Sequence, residues 1–93
     1  MPIVGVDDDK RVVLINQKAK ALSRKGTMLE IGRKLSDCLS KDIEEGVAAA
    51  IASKCLKKIE KYDAGGGVYD IEVAPLGGEL SGKGAFLKFA LKS

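Results

Sequence analysis

Three consecutive aspartates at positions 7–9 are the first residues in the chain with the chemistry to bind a metal ion. Carboxylates at alternate positions of a loop are ligands that Ca²⁺ takes in an EF-hand. A loop starting at residue 7 would place Arg11 at its fifth position, Val12 where the turn requires glycine and Lys18 where a bidentate glutamate is needed. The pattern therefore predicts a solvated turn and no metal site.

A glycine-rich stretch at residues 77–84 comes close to a phosphate-binding loop, because Gly77, Gly82 and Lys83 have the right spacing. Gly84, however, stands where a serine or threonine must hold magnesium. A phosphate loop also needs a helix whose amino end faces the anion, whereas the residues after Gly84 alternate as in a strand. We expect a hairpin loop here.

No residues are grouped for acid–base or thiol catalysis. The chain has no histidine, the commonest general base. The acidic residues at 42, 44 and 45 are explained by the start of a helix, where they offset the positive end of its dipole. Cys38 and Cys55 form no CxxC pair and are expected to be apolar filler, with Cys55 on or beside an apolar helix face where a thiol stays inert. We therefore expect a protein that is not an enzyme.

Size and composition indicate one globular domain spanning residues 1–93. The chain has 93 residues, of which 45% are hydrophobic and 31% charged, and its net charge is +3. The basic residues are scattered, and none of the two tyrosines and two phenylalanines lies among them, so direct nucleic-acid binding is not expected. No apolar run is long enough for membrane insertion and no signal peptide is evident, which leads us to expect a cytoplasmic protein.

The first half of the sequence predicts a hairpin followed by short helices. Residues 2–6 and 11–15 are β-branched runs separated by the acidic turn. Asn16 is suited to cap a short helix over residues 17–22 that ends near Gly26. A further short helix is expected around residues 34–39.

The main helix is predicted to open with a capping box at residues 42–45, in which Asp42 caps and Glu45 follows three positions later. Its buried side is expected to carry Ile43, Val47, Ala50, Ile51 and Cys55, which fall at helical spacing. Residues 56–63 either prolong this helix or begin a strand.

The last third predicts two strands. Tyr69, Ile71 and Val73 alternate with acidic residues, and Leu87, Phe89 and Leu91 share one face of the final run. The order of elements favours an α+β fold with an antiparallel sheet and helices on one face, and a fifth strand near residues 56–62 is left as an open alternative.

In its succession of segments, the chain resembles a PAS domain. Residues 3–19 resemble the opening of that family, in which two strands around an acidic turn lead to an asparagine and a short helix. Residues 31–37 resemble its glycine-arginine-x-leucine segment, and residues 70–76 its penultimate strand ending in proline-leucine. The resemblance implies a five-stranded antiparallel sheet with helices packed on one face. The family's usual Asp-Ile-Thr-like junction is missing at the end, so both an excised module and a stand-alone one fit.

The resemblance also implies a function and a pocket. PAS domains are sensory modules that bind a small ligand or mediate protein–protein interaction, and relay to an effector such as a histidine kinase of a two-component system or a transcriptional regulator. A homodimer through the sheet is one expected form of partner. The alternative is a purely structural dimerisation domain with a filled core and no ligand. The candidate pocket residues are Ile15, Leu39, Val47, Ile51, Cys55, Ile71, Val73 and Phe89.

Among the cofactors of the family, histidine-ligated haem is excluded because the chain has no histidine. Neither cysteine stands in the Asn-Cys-Arg-like setting of a LOV-type flavin site, and tryptophan is absent. Thiolate ligation of haem by Cys38 or Cys55 is left as a minor alternative. We predict no cofactor and leave the identity of any small ligand unknown.

Overall fold

A five-stranded antiparallel sheet is the frame of the molecule. The computed structural model describes residues 1–22, 29–64 and 67–91. The strands are β1 (Ile3–Asp7), β2 (Val12–Ile15), β3 (Lys57–Asp63), β4 (Val68–Pro75) and β5 (Gly84–Leu91), and their order across the sheet is β2-β1-β5-β4-β3. The helices are α1 (Leu35–Cys38) and α2 (Lys41–Ser53), with short 3-10 helices at Ala19–Ala21 and Gly78–Leu80. The predicted α+β class and the fifth strand are confirmed.

The predicted hairpin of β1 and β2 is confirmed, and its turn is closed by an aspartate. The Asp7 carboxylate accepts the backbone N–H of Asp9 at 2.9 Å and that of Arg11 at 3.0 Å. Lys10 occupies the left-handed region with φ 63°, which lets the chain reverse direction. The acidic side chain at position 7 thus forms part of the turn itself.

Asn16 ends β2 and organises the chain after it, as predicted. Its Oδ1 atom accepts the N–H of Ala19 at 2.9 Å, which provides a partner for an amide at the start of the 3-10 helix. The helix is shorter than the predicted 17–22, since residues 17 and 18 form a turn and only Ala19–Ala21 are helical. The predicted end near Gly26 lies outside the described residues.

The predicted short helix near residues 34–39 is confirmed as α1, but the predicted capping box of α2 is wrong. The helix begins at Lys41, with Ser40 as its N-cap and no side-chain cap bond. The Ser40 hydroxyl is instead hydrogen-bonded to the Tyr62 hydroxyl on β3 at 2.9 Å. The hydroxyl of the N-cap residue is therefore engaged in a long-range hydrogen bond and does not cap the helix. Asp42 lies inside the first turn.

The apolar side of α2 is confirmed, because Ile43, Val47 and Ala50 are buried. The helix ends at Ser53, where Lys54 turns into the left-handed region with φ 57°. The chain then enters β3, which resolves the ambiguity of residues 56–63 in favour of a strand.

The two long strands β4 and β5 place alternate side chains on the side of the sheet facing the helices. Ile71 is paired with Phe89 and Val73 with Leu87, and all four are fully buried. Helix α2 packs against β3, β4 and β5 on this inner face. Residues 77–84 connect two antiparallel strands, and the chain continues as β5 where a phosphate loop would require a helix. No helix within the described ranges is long and apolar enough to span a bilayer.

Candidate functional site

Most residues predicted to line a ligand pocket lie in the hydrophobic core between the sheet and the helices. Leu39, Val47, Ile71, Val73 and Phe89 are fully buried and belong to one cluster. Ile15 and Ile51 are partly buried and pack against that cluster. The structure therefore brings seven of the eight predicted residues together. They are part of one packed hydrophobic core.

Cys55 is the exception, and its predicted place on the apolar face of α2 is wrong. The left-handed turn at Lys54 carries the chain away from the helix axis, and Cys55 is exposed. Cys38 is the buried cysteine, and it lies at the end of α1 in the core. Burial raises the pKa of the Cys38 thiol, which keeps it in the neutral and less reactive form.

Cavities of about 420, 380 and 210 Å³ lie at the surface of the described chain. Leu39, Val47, Ile71 and Val73 line none of them, and Phe89 lines the second. These three cavities thus lie mostly apart from the predicted interior residues and meet them at Phe89.

The cavity of about 420 Å³ lies on the outer face of the sheet, opposite the helices. Lys58 on β3, Glu72 on β4, Lys88 on β5 and Ile3 on β1 are register partners, so they form one row across four strands and line this cavity. Charges of alternating sign on neighbouring strands make the row suited to contact a surface that is also alternately charged.

An apolar area adjoins this charged row. Phe86 on β5, Gly5 on β1 and Leu14 on β2 are register partners and are called here the outer patch. A Cβ atom added at Gly5 would lie 3.1 Å from Cε1 of Phe86 and 3.2 Å from Cβ of Leu14, so the glycine lets the two side chains approach each other. Phe86 is 38% and Leu14 46% exposed.

The prediction of the pocket did not include the outer patch. The sequence did contain a signal for this patch. Phe86 directly precedes the inward-facing Leu87, so strand alternation places Phe86 on the opposite face from Leu87 and Phe89. An aromatic residue at an outward position of a strand in the middle of the sheet leaves apolar surface on the solvent side.

No protein-family model and no curated protein matches the chain. Among solved structures, the PAS domain of the histidine kinase ThkA is similar over 97% of this chain and 99% of its own, with a TM-score of 0.75 and 21% identity. A selenomethionine variant of that domain gives a TM-score of 0.72 at 21% identity, over 96% of this chain and 98% of its own. A sensory box sensor histidine kinase from Vibrio cholerae gives 0.74 at 14% identity, over 98% of this chain and 80% of its own. The chain has the fold of PAS domains.

Proposed function

We propose that this chain is a sensory or signalling module of the PAS type that acts through protein–protein contact and relays to an effector, such as a histidine kinase or a transcriptional regulator. Its fold matches PAS domains along almost the whole chain, and those similar structures come from histidine kinases. In this proposal the module has no catalytic role, binds no nucleic acid directly and needs no cofactor.

The observation that carries the proposal is the outer face of the sheet. Its outer patch is apolar and partly exposed, and the row containing Lys58, Glu72 and Lys88 lies beside it. Aromatic side chains surrounded by polar groups are typical of the centres of protein interfaces. Because the row carries both signs of charge, a second copy of the same face is a suitable partner, and we propose a homodimer formed through the sheet.

The packed interior supports contact rather than an internal ligand as the basis of signalling. The five fully buried candidates fill the space between α2 and the sheet. A ligand there would have to displace close-packed side chains, which costs free energy that few contacts offset. We therefore place the signalling contacts on the outer face.

The dimer is tested by substituting Phe86→Lys, which puts a charge in the outer patch. The matched control is Leu80→Lys, in the 3-10 helix between β4 and β5, where Leu80 is 57% exposed. The unmodified chain and the control should show the mass of a dimer by light scattering, and the Phe86 variant that of a monomer. A monomer for the unmodified chain at concentrations up to about 100 μM would contradict pairing through this face.

The relay is tested separately, by replacing the PAS domain of the histidine kinase ThkA with this chain. Autophosphorylation of the chimera should change on Phe86→Lys and remain unchanged on Leu80→Lys. A Phe86 variant that loses the dimer but leaves the kinase rate unchanged would favour the structural dimerisation domain over the signalling module.

A further inference from the structure

A cavity of about 380 Å³ lies at the end of the sheet where β1 begins and β5 ends. Its lining residues are Met1, Pro2, Lys18, Tyr69, Phe89 and Leu91. The volume falls at the lower end of the range found for small-molecule sites. The cavity adjoins the core through Phe89 but is separate from the outer patch.

Aromatic and aliphatic side chains form the floor of this cavity. The rings of Tyr69 and Phe89 meet edge to face, with centroids 6.0 Å apart and planes at 84°, an arrangement that holds both rings in place. Leu91 is the register partner of Tyr69 and is 69% exposed. A Cβ atom added at Gly67 would lie 3.1 Å from Cδ1 of Leu91, so the glycine gives Leu91 room at this position. Apolar surface is therefore available for a guest.

One side chain, that of Asn16, ties together the segments that carry the cavity's walls. Its Nδ2 atom donates to the carbonyl of Met1 at 2.9 Å, and its Oδ1 atom accepts the N–H groups of Ile3 at 3.1 Å and Ala19 at 2.9 Å. The carbonyl of Pro2 accepts the N–H of Phe89 at 3.0 Å. The segment before β1 and the turn that carries Lys18 are therefore held in fixed positions, which lowers the entropic cost of binding.

Lys18 is the one charged side chain among the described lining residues. The nearby carboxylates of Asp70 and Glu72 line the cavity on the outer face instead, as the alternation of β4 requires. An ammonium group at the rim of an apolar floor attracts an anion, and its own aliphatic stem extends the apolar surface. The charge of the site is therefore positive.

We propose that this cavity binds a small organic monocarboxylate with an aromatic or branched aliphatic group. The apolar group lies on Tyr69 and Leu91, which Phe89 supports from the core, and the carboxylate pairs with the Lys18 ammonium. This inference goes beyond the proposed function and does not depend on pairing through the outer face.

The test uses three probes of the same shape and different charge: phenylacetate, phenylacetamide and phenethylamine. Affinity is measured by titration with ¹H–¹⁵N NMR. Phenylacetate should bind most tightly and shift the resonances of Lys18, Tyr69 and Leu91. The neutral amide should bind about two- to five-fold more weakly, the size expected for a partly exposed charge pair, and the amine more weakly still.

Substituting Lys18→Gln should reduce the affinity for phenylacetate to that for phenylacetamide and leave the affinity for the amide unchanged. Lys20→Gln, which removes an exposed ammonium from the adjacent 3-10 helix, is the control and should change neither. The proposal is overturned if no probe binds up to about 10 mM, if amide and acid bind equally, or if the shifted resonances lie elsewhere.

Discussion

Glu44 connects α2 to α1 through hydrogen bonds from Ser36. Its carboxylate accepts the N–H of Ser36 at 2.9 Å. Burial raises the pKa of Glu44, but the hydrogen bonds from Ser36 and the charges of Lys34 and Lys10 together lower it by more. The net result is a pKa below the ordinary value of a glutamate carboxyl group. The ionised form of this side chain therefore stabilises the folded state.

The stabilisation by ionised Glu44 depends on pH over a defined range. Because the folded pKa is depressed, the stabilisation is present above the unfolded pKa of about 4.3 and is lost as the pH falls through the folded value. The free energy of unfolding of the Glu44→Gln variant should therefore decrease less steeply as the pH falls below about 4.5. Urea unfolding between neutral and acidic pH measures this, with Glu45→Gln, on the exposed side of α2, as the control. Equal acid sensitivity of the two variants would contradict the assignment.

At the level of elements, the end of α2 depends on an unfavourable backbone conformation. Lys54 has φ 57°, in a region where side chains other than glycine and asparagine are strained. Lys54→Gly should raise the free energy of unfolding by about 0.5–1 kcal/mol, because relief of this strain outweighs the larger entropy of glycine in the unfolded chain. Lys57→Gly, in the extended strand β3, is the control and should be destabilising. Urea unfolding of both variants measures these changes in the free energy of unfolding. A destabilising effect of Lys54→Gly would contradict this explanation.

Periodicity was sufficient to predict β1, β2, β4 and β5, the buried side of α2 and the inward residues Ile71, Val73 and Phe89, because these depend on local alternation, but it left β3 undecided. The start of α2 could not be predicted in this way, since the hydroxyl of Ser40 binds Tyr62, 22 residues away in the sequence. The position of Cys55 was predicted wrongly because the left-handed residue before it is Lys54 and not the glycine that usually ends a helix.

The location of the cavities could not be predicted from the sequence for a different reason. Alternation identifies which side chains point inward, but whether they leave a void depends on their combined volume in three dimensions. The cavity beside Tyr69 brings together the first residues, the turn after β2 and the ends of β4 and β5. Its lining residues are far apart in the chain, and local spacing gives no sign that Lys18 and Leu91 line the same cavity.

At the scale of the whole molecule, the sheet separates two surfaces, one that packs in the core and one that faces solvent. The inner face packs against α2 and contributes about half of the buried core residues, while the outer face leaves Phe86 and Leu14 partly exposed. Changes on the outer face should therefore alter association with little effect on folding, whereas changes on the inner face should alter stability first.

The filled interior makes a quantitative prediction at this scale. Ile71 is fully buried in the centre of β4 opposite Phe89. If no pocket exists there, Ile71→Ala must create one, and the free energy of unfolding should fall by about 2–5 kcal/mol. Leu80→Ala, at an exposed position, should change it by no more than about 0.5 kcal/mol.

The new space should then accept an apolar guest. Benzene should raise the melting temperature of the Ile71→Ala variant and leave that of the unmodified chain unchanged, since only the variant has an empty apolar cavity. A loss below about 1 kcal/mol on truncation, together with stabilisation of the unmodified chain by benzene, would instead show that the interior already contains a ligand-sized void. Close packing of Ile71 against Phe89 is the argument against an internal ligand. If a void were found there, that argument would fail and signalling would have to be assigned to an internal ligand.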